Sequence, residues 1–142
     1  MMPLIAALAF VIATGTFDVA IKPAPDTDHL DGGALGRMTA DKTYHGDLEG
    51  TAVGQMLTGM SPSEKTSGVY VAIERVTATL QGRKGTFIMH HTGIMDRGAQ
   101  TLKVTIVPDS GTGQLTGITG TMQIDIRDGK HFYTLEYALP PK

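Results

Sequence analysis

The sequence predicts an all-β protein: a single domain folded as an eight-stranded antiparallel β-barrel. Apolar and polar residues alternate along about eight segments, which is the period-two pattern of strands. Glycine, aspartate and proline mark the turns between these segments. No amphipathic stretch is long enough to be a convincing helix. A closed barrel fits this pattern because closure leaves no exposed sheet edge.

Composition fits one small domain and excludes several classes of partner. At 142 residues the chain has single-domain length. Its formal net charge is −2 and its basic residues are scattered, so no nucleic-acid partner is predicted. No apolar run is long enough to cross a bilayer as a helix, so stable membrane insertion is not predicted. Because the chain has no cysteine, a disulfide framework and a thiolate nucleophile are excluded.

Residues 1–13 are predicted to lie outside the barrel domain, which is expected to cover residues 14–142. The segment is apolar apart from Pro3 and resembles the core of a signal peptide that is cleaved after Ala13. No lysine or arginine precedes it, so the positive region of a signal peptide is missing. We therefore predict a cytoplasmic protein whose N-terminal extension packs on the barrel or on a neighbouring copy, which allows a homo-oligomer. Export is the alternative.

The eight predicted strands follow one another along the chain with short connections. They cover residues 14–23, two strands within 35–60, then 69–81, 85–97, 102–107, 121–126 and 130–139. The acidic segment that ends at Gly33 is predicted to be a surface loop. The small residues Gly50, Ala52 and Gly54 indicate sharp curvature or close packing of their strand.

A glycine-rich connection lies between the strands 102–107 and 121–126. A dinucleotide motif that starts at Gly111 would need glycine where Thr116 stands, and a phosphate-binding loop would need a lysine after Gly120. The connection is therefore predicted to be structural. Leu115 and Ile118 are expected to plug one end of the barrel.

Glu74 is the most informative charged residue, because it stands in the middle of a strand between apolar neighbours. If it faces the barrel interior, burial would raise the pKa of its carboxyl and suit it to general acid or base catalysis. If it faces the outside, it is a solvated residue that pairs with a lysine or arginine. Both interpretations stay open at this point.

His90 and His91 are consecutive in a strand and must point to opposite faces, so they cannot hold one metal ion together. His91 is expected in the lumen, the interior of the barrel, beside Glu74 or Glu49. Because no ligand spacing is diagnostic, neither a metal nor another cofactor is predicted. The predicted catalytic residues are Glu74, Glu49 and His91, and the predicted ligand-binding residues are Tyr70, Met89, His45 and Tyr133.

Three segments resemble a bacterial family of small uncharacterised proteins with the allene-oxide-cyclase-like barrel fold. They are residues 45–51, 68–76 and 107–117, and the similarity extends from about Ala13 to Leu139. The resemblance implies an eight-stranded antiparallel barrel with a central cavity. It implies no catalytic residue, because the family has no agreed activity. Plant allene oxide cyclases bind an unstable epoxide in such a barrel, which is an analogy of fold alone.

Two classes of function follow from these predictions. The first is a barrel that binds a small apolar molecule in its lumen, with cyclase or isomerase activity as its catalytic version. The second is a non-catalytic carrier or assembly module with a filled lumen. A cavity with an inward carboxylate would favour the first class, whereas a lumen packed with methionine and aromatic side chains would favour the second.

Overall fold

The computed structural model describes residues 8–24 and 28–141, a part of the chain that contains nine β-strands and one short 3₁₀ turn. Residues 1–7 and 25–27, which belong to the predicted extension and the predicted loop, lie outside the described residues. The strands are β1 (Val11–Pro23), β2 (Asp28–Leu30), β3 (Gly33–Gly46), β4 (Leu48–Met60), β5 (Gly68–Leu80), β6 (Arg83–Asp96), β7 (Ala99–Ile106), β8 (Thr119–Arg127) and β9 (Lys130–Ala138).

Eight of these strands form a closed antiparallel barrel, as predicted. Their order is β1-β9-β8-β7-β6-β5-β4-β3, and a pairing between β1 and β3 closes the ring. The additional strand β2 has three residues and pairs only with the start of β3. Closure satisfies the backbone hydrogen bonds of both outer strands of the sheet, so the barrel has no long free edge.

Three hairpins turn through two residues that both have positive φ. They are Gln81–Gly82, Arg97–Gly98 and Asp128–Gly129, and the second residue is glycine in each. Such turns match the right-handed twist of the flanking strands, and glycine adopts positive φ without a steric penalty. The glycines at the tips therefore fix the register of the β5–β6, β6–β7 and β8–β9 hairpins.

Most predicted strand boundaries lie within three residues of those in the structure, and two differences have a clear cause. β1 begins at Val11 rather than at residue 14, and Ala13 is fully buried in the barrel core. The continuous apolar run hid the strand, because a segment without polar residues shows no alternation. β2 lies within the segment that was predicted to be a loop, and three residues are too few to give a periodic signal. That residues 1–13 stay attached as an extension, rather than being cleaved as a signal peptide, stays a prediction.

In one half of the barrel, which we call the packed half, buried side chains fill the interior. Its largest fully buried side chains include Tyr44, Tyr133, Tyr137, Phe87, Leu48, Leu80, Met89, Leu115, Ile118 and Leu135. Leu115 and Ile118 come from the glycine-rich connection between β7 and β8 and are fully buried in this core, as expected of a connection that closes one end of the barrel. Burial of these side chains supplies the main favourable term in folding.

The other half of the barrel is hollow. Its inward-facing positions carry smaller or more flexible side chains, such as Ala40 and Ala72 together with Met38 and Met56. Over the described residues, no helix is both long and apolar enough to span a membrane.

Candidate functional site

A cavity of about 390 Å³ occupies the hollow half of the barrel. Ile21, Ile94 and Ile126 line it and are each about half exposed, so this end of the cavity opens to solvent. Most of its wall is apolar, and includes Phe17, Val19, Met38, Met56, Met60 and Ile124. At the inner end lie three polar side chains that are almost fully buried: Lys42, Glu74 and His91.

The three polar residues occupy equivalent positions on their strands. Each of them lies between two other inward-facing residues of its own strand. One of these two residues is buried in the packed half, and the other lines the cavity. The pairs of neighbours are Tyr44 and Ala40 around Lys42 on β3, Val76 and Ala72 around Glu74 on β5, and Met89 and Gly93 around His91 on β6. We call Lys42, Glu74 and His91 the polar layer, because together they separate the packed half from the cavity.

Lys42 and Glu74 meet across β4, the strand that lies between them. The residue of β4 that pairs with Glu74 is Gly54, and the residue that pairs with Lys42 is Ala52. A Cβ atom at Gly54 would lie 3.4 Å from the Cβ of Glu74 and 3.0 Å from the carbonyl oxygen of Ala40. The small residues noted in the sequence therefore leave room for a contact between the side chains of β3 and β5.

The carboxylate of Glu74 has three polar neighbours. Lys42 Nζ lies 2.7 Å from Glu74 Oε2. The hydroxyl of Tyr44 donates a hydrogen bond of 2.5 Å to Oε1. His91 Nε2 lies 3.3 Å from Oε2. A buried carboxylate with this set of partners is well satisfied, so it can stay charged in an otherwise apolar interior.

These partners reverse the predicted shift of the Glu74 pKa. Burial acts to raise the pKa of the Glu74 carboxyl, but the adjacent imidazole of His91 and the ammonium of Lys42 outweigh burial and lower the pKa to about 2. The prediction of a raised pKa was wrong, because it assumed a carboxyl group without a cationic partner. Burial also raises the pKa of the Tyr44 hydroxyl, and the charge of Glu74 raises it further.

His91 has an unsatisfied nitrogen. Only 4% of the residue is exposed, and its Nε2 atom has no hydrogen-bond partner among the described residues, because the contact with Glu74 is not aligned as a hydrogen bond. An unpaired buried polar atom costs free energy unless a ligand or a water molecule satisfies it. Since His91 lines the cavity, this atom is a candidate contact for a bound molecule.

Tyr70 lies on the cavity side of Glu74 and lines the wall, as predicted. Its ring packs over Gly93, where a Cβ atom would come within 2.2 Å of Tyr70 Cε1. The centre of the ring lies 6.4 Å from that of the His91 ring. The tyrosine that donates a hydrogen bond to the Glu74 carboxylate is Tyr44 rather than Tyr70.

Glu49 and His45 were predicted in the lumen, and the structure places both outside it. Glu49 is exposed and accepts a hydrogen bond of 2.7 Å from the backbone N–H of Gly46. His45 is also exposed, with Nε2 3.1 Å from Asp18 Oδ2. Side chains alternate between the two faces of a strand, so the inward direction of Tyr44 sends His45 outward. In the same way, Leu48 points inward, so the adjacent Glu49 points outward.

Met89 and Tyr133 point inward but do not line the cavity. Met89 is fully buried in the packed half. The hydroxyl of Tyr133 accepts a hydrogen bond of 2.9 Å from the N–H of Leu48 and lies 3.0 Å from the carbonyl oxygen of His45. Both residues therefore belong to the core, and Tyr133 ties the β3–β4 turn to the barrel.

Lys42 of the polar layer and its neighbour Tyr44 were not among the predicted site residues. The signal was present, since Met38, Ala40, Lys42 and Tyr44 share one face of β3 and the other members of that face are largely apolar. A lysine on such a face needs a buried partner. Within the described part of the chain, no three histidine, aspartate or glutamate side chains converge as a metal site.

Comparisons with known proteins identify the family. A search of curated proteins finds no match to the chain. A crystal structure of a protein of unknown function from the DUF3224 family of Shewanella oneidensis MR-1 is similar, with 42% sequence identity and a TM-score of 0.86. The similarity covers 94% of this chain and all of that one. The family described as "Protein of unknown function (DUF3224)" matches residues 13–137, and the chain therefore belongs to that family.

Proposed function

We propose that the barrel binds a small, largely apolar molecule in its lumen. The observation that carries this proposal is the cavity of about 390 Å³, whose apolar wall ends at the polar layer. Ligand sites commonly combine a concave apolar surface with a few converging polar groups, and this volume falls within their usual range. The half-exposed isoleucines at the open end supply a route of entry.

Nε2 of His91, which makes no aligned hydrogen bond with the described residues, supports binding of a molecule that has a polar end. Its contact with Glu74 is one of charge rather than an aligned hydrogen bond, so a ligand atom that hydrogen-bonds to Nε2 would add a contact worth about 1 kcal/mol. The polar end of the ligand would then lie at the polar layer, and the apolar part would fill the cavity toward its open end.

The catalytic version of the proposal is a cyclase or isomerase, in keeping with the resemblance to allene-oxide-cyclase-like barrels. With its pKa near 2, Glu74 is a carboxylate at neutral pH and has no proton to donate. A fixed carboxylate can stabilise positive charge that develops on a substrate, while His91 Nε2 can hold the polar end of the substrate by a hydrogen bond. The lowered pKa therefore favours electrostatic stabilisation over proton transfer from Glu74.

The rival function is a non-catalytic carrier or assembly barrel. The packed half of the lumen supports it, because those side chains leave no room for a ligand. A carrier would bind the same molecule and release it unchanged, so only turnover distinguishes the two functions. Cytoplasmic localisation and formation of a homo-oligomer stay predictions.

A matched pair of substitutions tests the lumenal site. Ala72→Phe fills the cavity, because Ala72 faces inward and lines its wall. Val71→Phe adds a similar bulk on the outer wall, where Val71 is 44% exposed. We expect Ala72→Phe to abolish binding of an apolar fluorescent dye and of any metabolite that co-purifies in native mass spectrometry, whereas Val71→Phe should retain both. If the wild type binds neither dye nor metabolite, the proposal of lumenal binding is wrong and an assembly barrel is favoured over both a carrier and an enzyme.

A further inference from the structure

We propose that the cavity selects ligands with an uncharged head group, a hydroxyl or a carbonyl, over carboxylates and amines of the same chain length. This inference rests on the proposed lumenal binding and specifies its ligand class. Its basis is the arrangement of charge and hydrogen-bonding groups in the polar layer.

The two charges of the polar layer cancel each other. Lys42 Nζ and Glu74 Oε2 are 2.7 Å apart, and both residues are at least nine-tenths buried. The ammonium of Lys42 also lies 4.7 Å from the centre of the Phe17 ring and 5.7 Å from that of Tyr44, so aromatic faces cover it. A ligand head group therefore meets an ion pair whose charges are already matched.

A charged head group would have no free counter-charge at this depth. A carboxylate that bound to His91 Nε2 would approach the anionic Glu74, whose Oε2 lies 3.3 Å from the same nitrogen. An ammonium group would face the cation of Lys42 and compete with it for Glu74. Moving either charge from water into an apolar cavity without a partner is unfavourable.

A neutral head group matches the available hydrogen-bonding atom. Because His91 Nε2 lies 3.3 Å from the anionic Glu74 Oε2, it faces the carboxylate as an N–H donor. A hydroxyl or a carbonyl oxygen of the ligand can accept a hydrogen bond from this N–H.

The wall favours a flexible aliphatic chain behind that head group. Met38, Met56, Met60 and Met95 line the cavity. Methionine side chains are flexible and polarisable, so they adapt to apolar molecules of different shape. This makes the head group, rather than the outline of the chain, the source of selectivity.

Four probes with decyl-sized chains test the inference: decanol, methyl octyl ketone, decanoic acid and decylamine. Each is titrated at neutral pH against the wild-type protein loaded with the apolar dye that Ala72→Phe fails to bind. We expect decanol or the ketone to bind at least about tenfold more tightly than the acid and the amine.

Two variants test whether the matched charges of Lys42 and Glu74 cause the preference for a neutral head group. Glu74→Gln leaves the ammonium of Lys42 unmatched and should shift the preference toward decanoic acid. Lys42→Met leaves the carboxylate unmatched and should shift the preference toward decylamine, so the two variants move in opposite directions. Glu136→Gln removes an exposed carboxylate far from the polar layer and should keep the wild-type preference. Circular dichroism of each variant verifies that it is folded before titration.

The outcomes separate this inference from the proposed function. If the wild type binds decanoic acid or decylamine as tightly as decanol, the neutral selectivity is wrong while lumenal binding stands. If folded Glu74→Gln and Lys42→Met keep the wild-type preference, matched charge is not its source and the inference fails. If no probe and no dye binds to the wild type, the proposed function fails, and this inference fails with it.

Discussion

Replacing Glu74 with glutamine removes the negative charge that faces the buried ammonium of Lys42 while keeping the shape of the side chain. The pKa of Glu74 is about 2 in the folded protein, compared with an ordinary value of 4.5. At 1.36 kcal/mol per pKa unit, this difference corresponds to about 3 kcal/mol of folding free energy. Loss of one partner from a buried ion pair costs a similar amount, about 3–5 kcal/mol, because the other charge is left uncompensated.

The contribution of Glu74 has a defined dependence on pH. Because its folded pKa is lowered, the carboxylate stabilises the folded state fully above about pH 4.5, and this stabilisation is lost as the pH falls toward about 2. We therefore expect Glu74→Gln to lower the free energy of unfolding by about 3 kcal/mol at neutral pH, or the melting temperature by roughly 10 °C. The difference from wild type should shrink steadily below about pH 4.5.

Urea unfolding followed by far-ultraviolet circular dichroism measures this difference from neutral pH down to about pH 2.5. Glu136→Gln is the matched control, and its exposed position predicts a change of less than about 0.5 kcal/mol. Equal stability of Glu74→Gln and wild type at neutral pH would refute the stabilising role of the pair. A gap that stays constant down to the most acidic condition would refute the lowered pKa of Glu74.

Three further predictions concern the packed half, the cavity wall and the N-terminal segment. Phe87→Ala, at a fully buried position, should lower the free energy of unfolding by about 3–5 kcal/mol in urea titrations while the dye still binds in the cavity. Gly93→Ala should lower the free energy of unfolding by about 1–3 kcal/mol, because the added methyl group would displace the ring of Tyr70. Thr92→Ala, at the adjacent outward-facing position, should change that free energy by less than about 0.5 kcal/mol. Cleavage after Ala13 would remove a fully buried residue from β1, so the intact mass of the protein from its native host should correspond to a chain that still includes residues 1–13. A mass that corresponds to a chain beginning at Thr14 would support export.

The architecture of the barrel was largely predictable because its signals are local. Alternation with period two gave the long strands, and glycines at turns such as Asp128–Gly129 marked the hairpins. Boundaries failed where the local signal vanished: the apolar run before residue 14 hid the start of β1, and β2 is too short to show a period. Which half of the barrel is packed depends on contacts between distant strands, and no single strand carries that information.

The candidate site was predictable only in part, for the same reason. Glu74, His91 and Tyr70 line the cavity, and each lies on an alternating strand, although the alternation left open which face of β5 points inward. The error at Glu49 and His45 came from combining chemically suitable residues without following the alternation from Tyr44 through the turn. Lys42 was missed because its contact with Glu74 joins β3 to β5 across an intervening strand. Together with His91, the ammonium of Lys42 lowers the pKa of Glu74, so missing Lys42 contributed to the wrong direction predicted for that shift.

The energetics of the polar layer bear on the choice between a structural and a ligand-binding role. A buried ion pair is often no more stabilising than well-packed apolar side chains of similar volume, which can be neutral or better by about 1–4 kcal/mol. The double substitution Lys42→Met with Glu74→Leu should therefore fold with a stability close to or above that of the wild type, measured by urea unfolding, although Glu74→Gln alone is destabilised. A double variant with that stability would show that the fold does not need the ion pair, and because His91 is kept it should still prefer decanol to a plain alkane of equal length. A double variant that is as destabilised as Glu74→Gln would instead assign the pair to stability, because His91 and Tyr44 would then depend on it for their own packing.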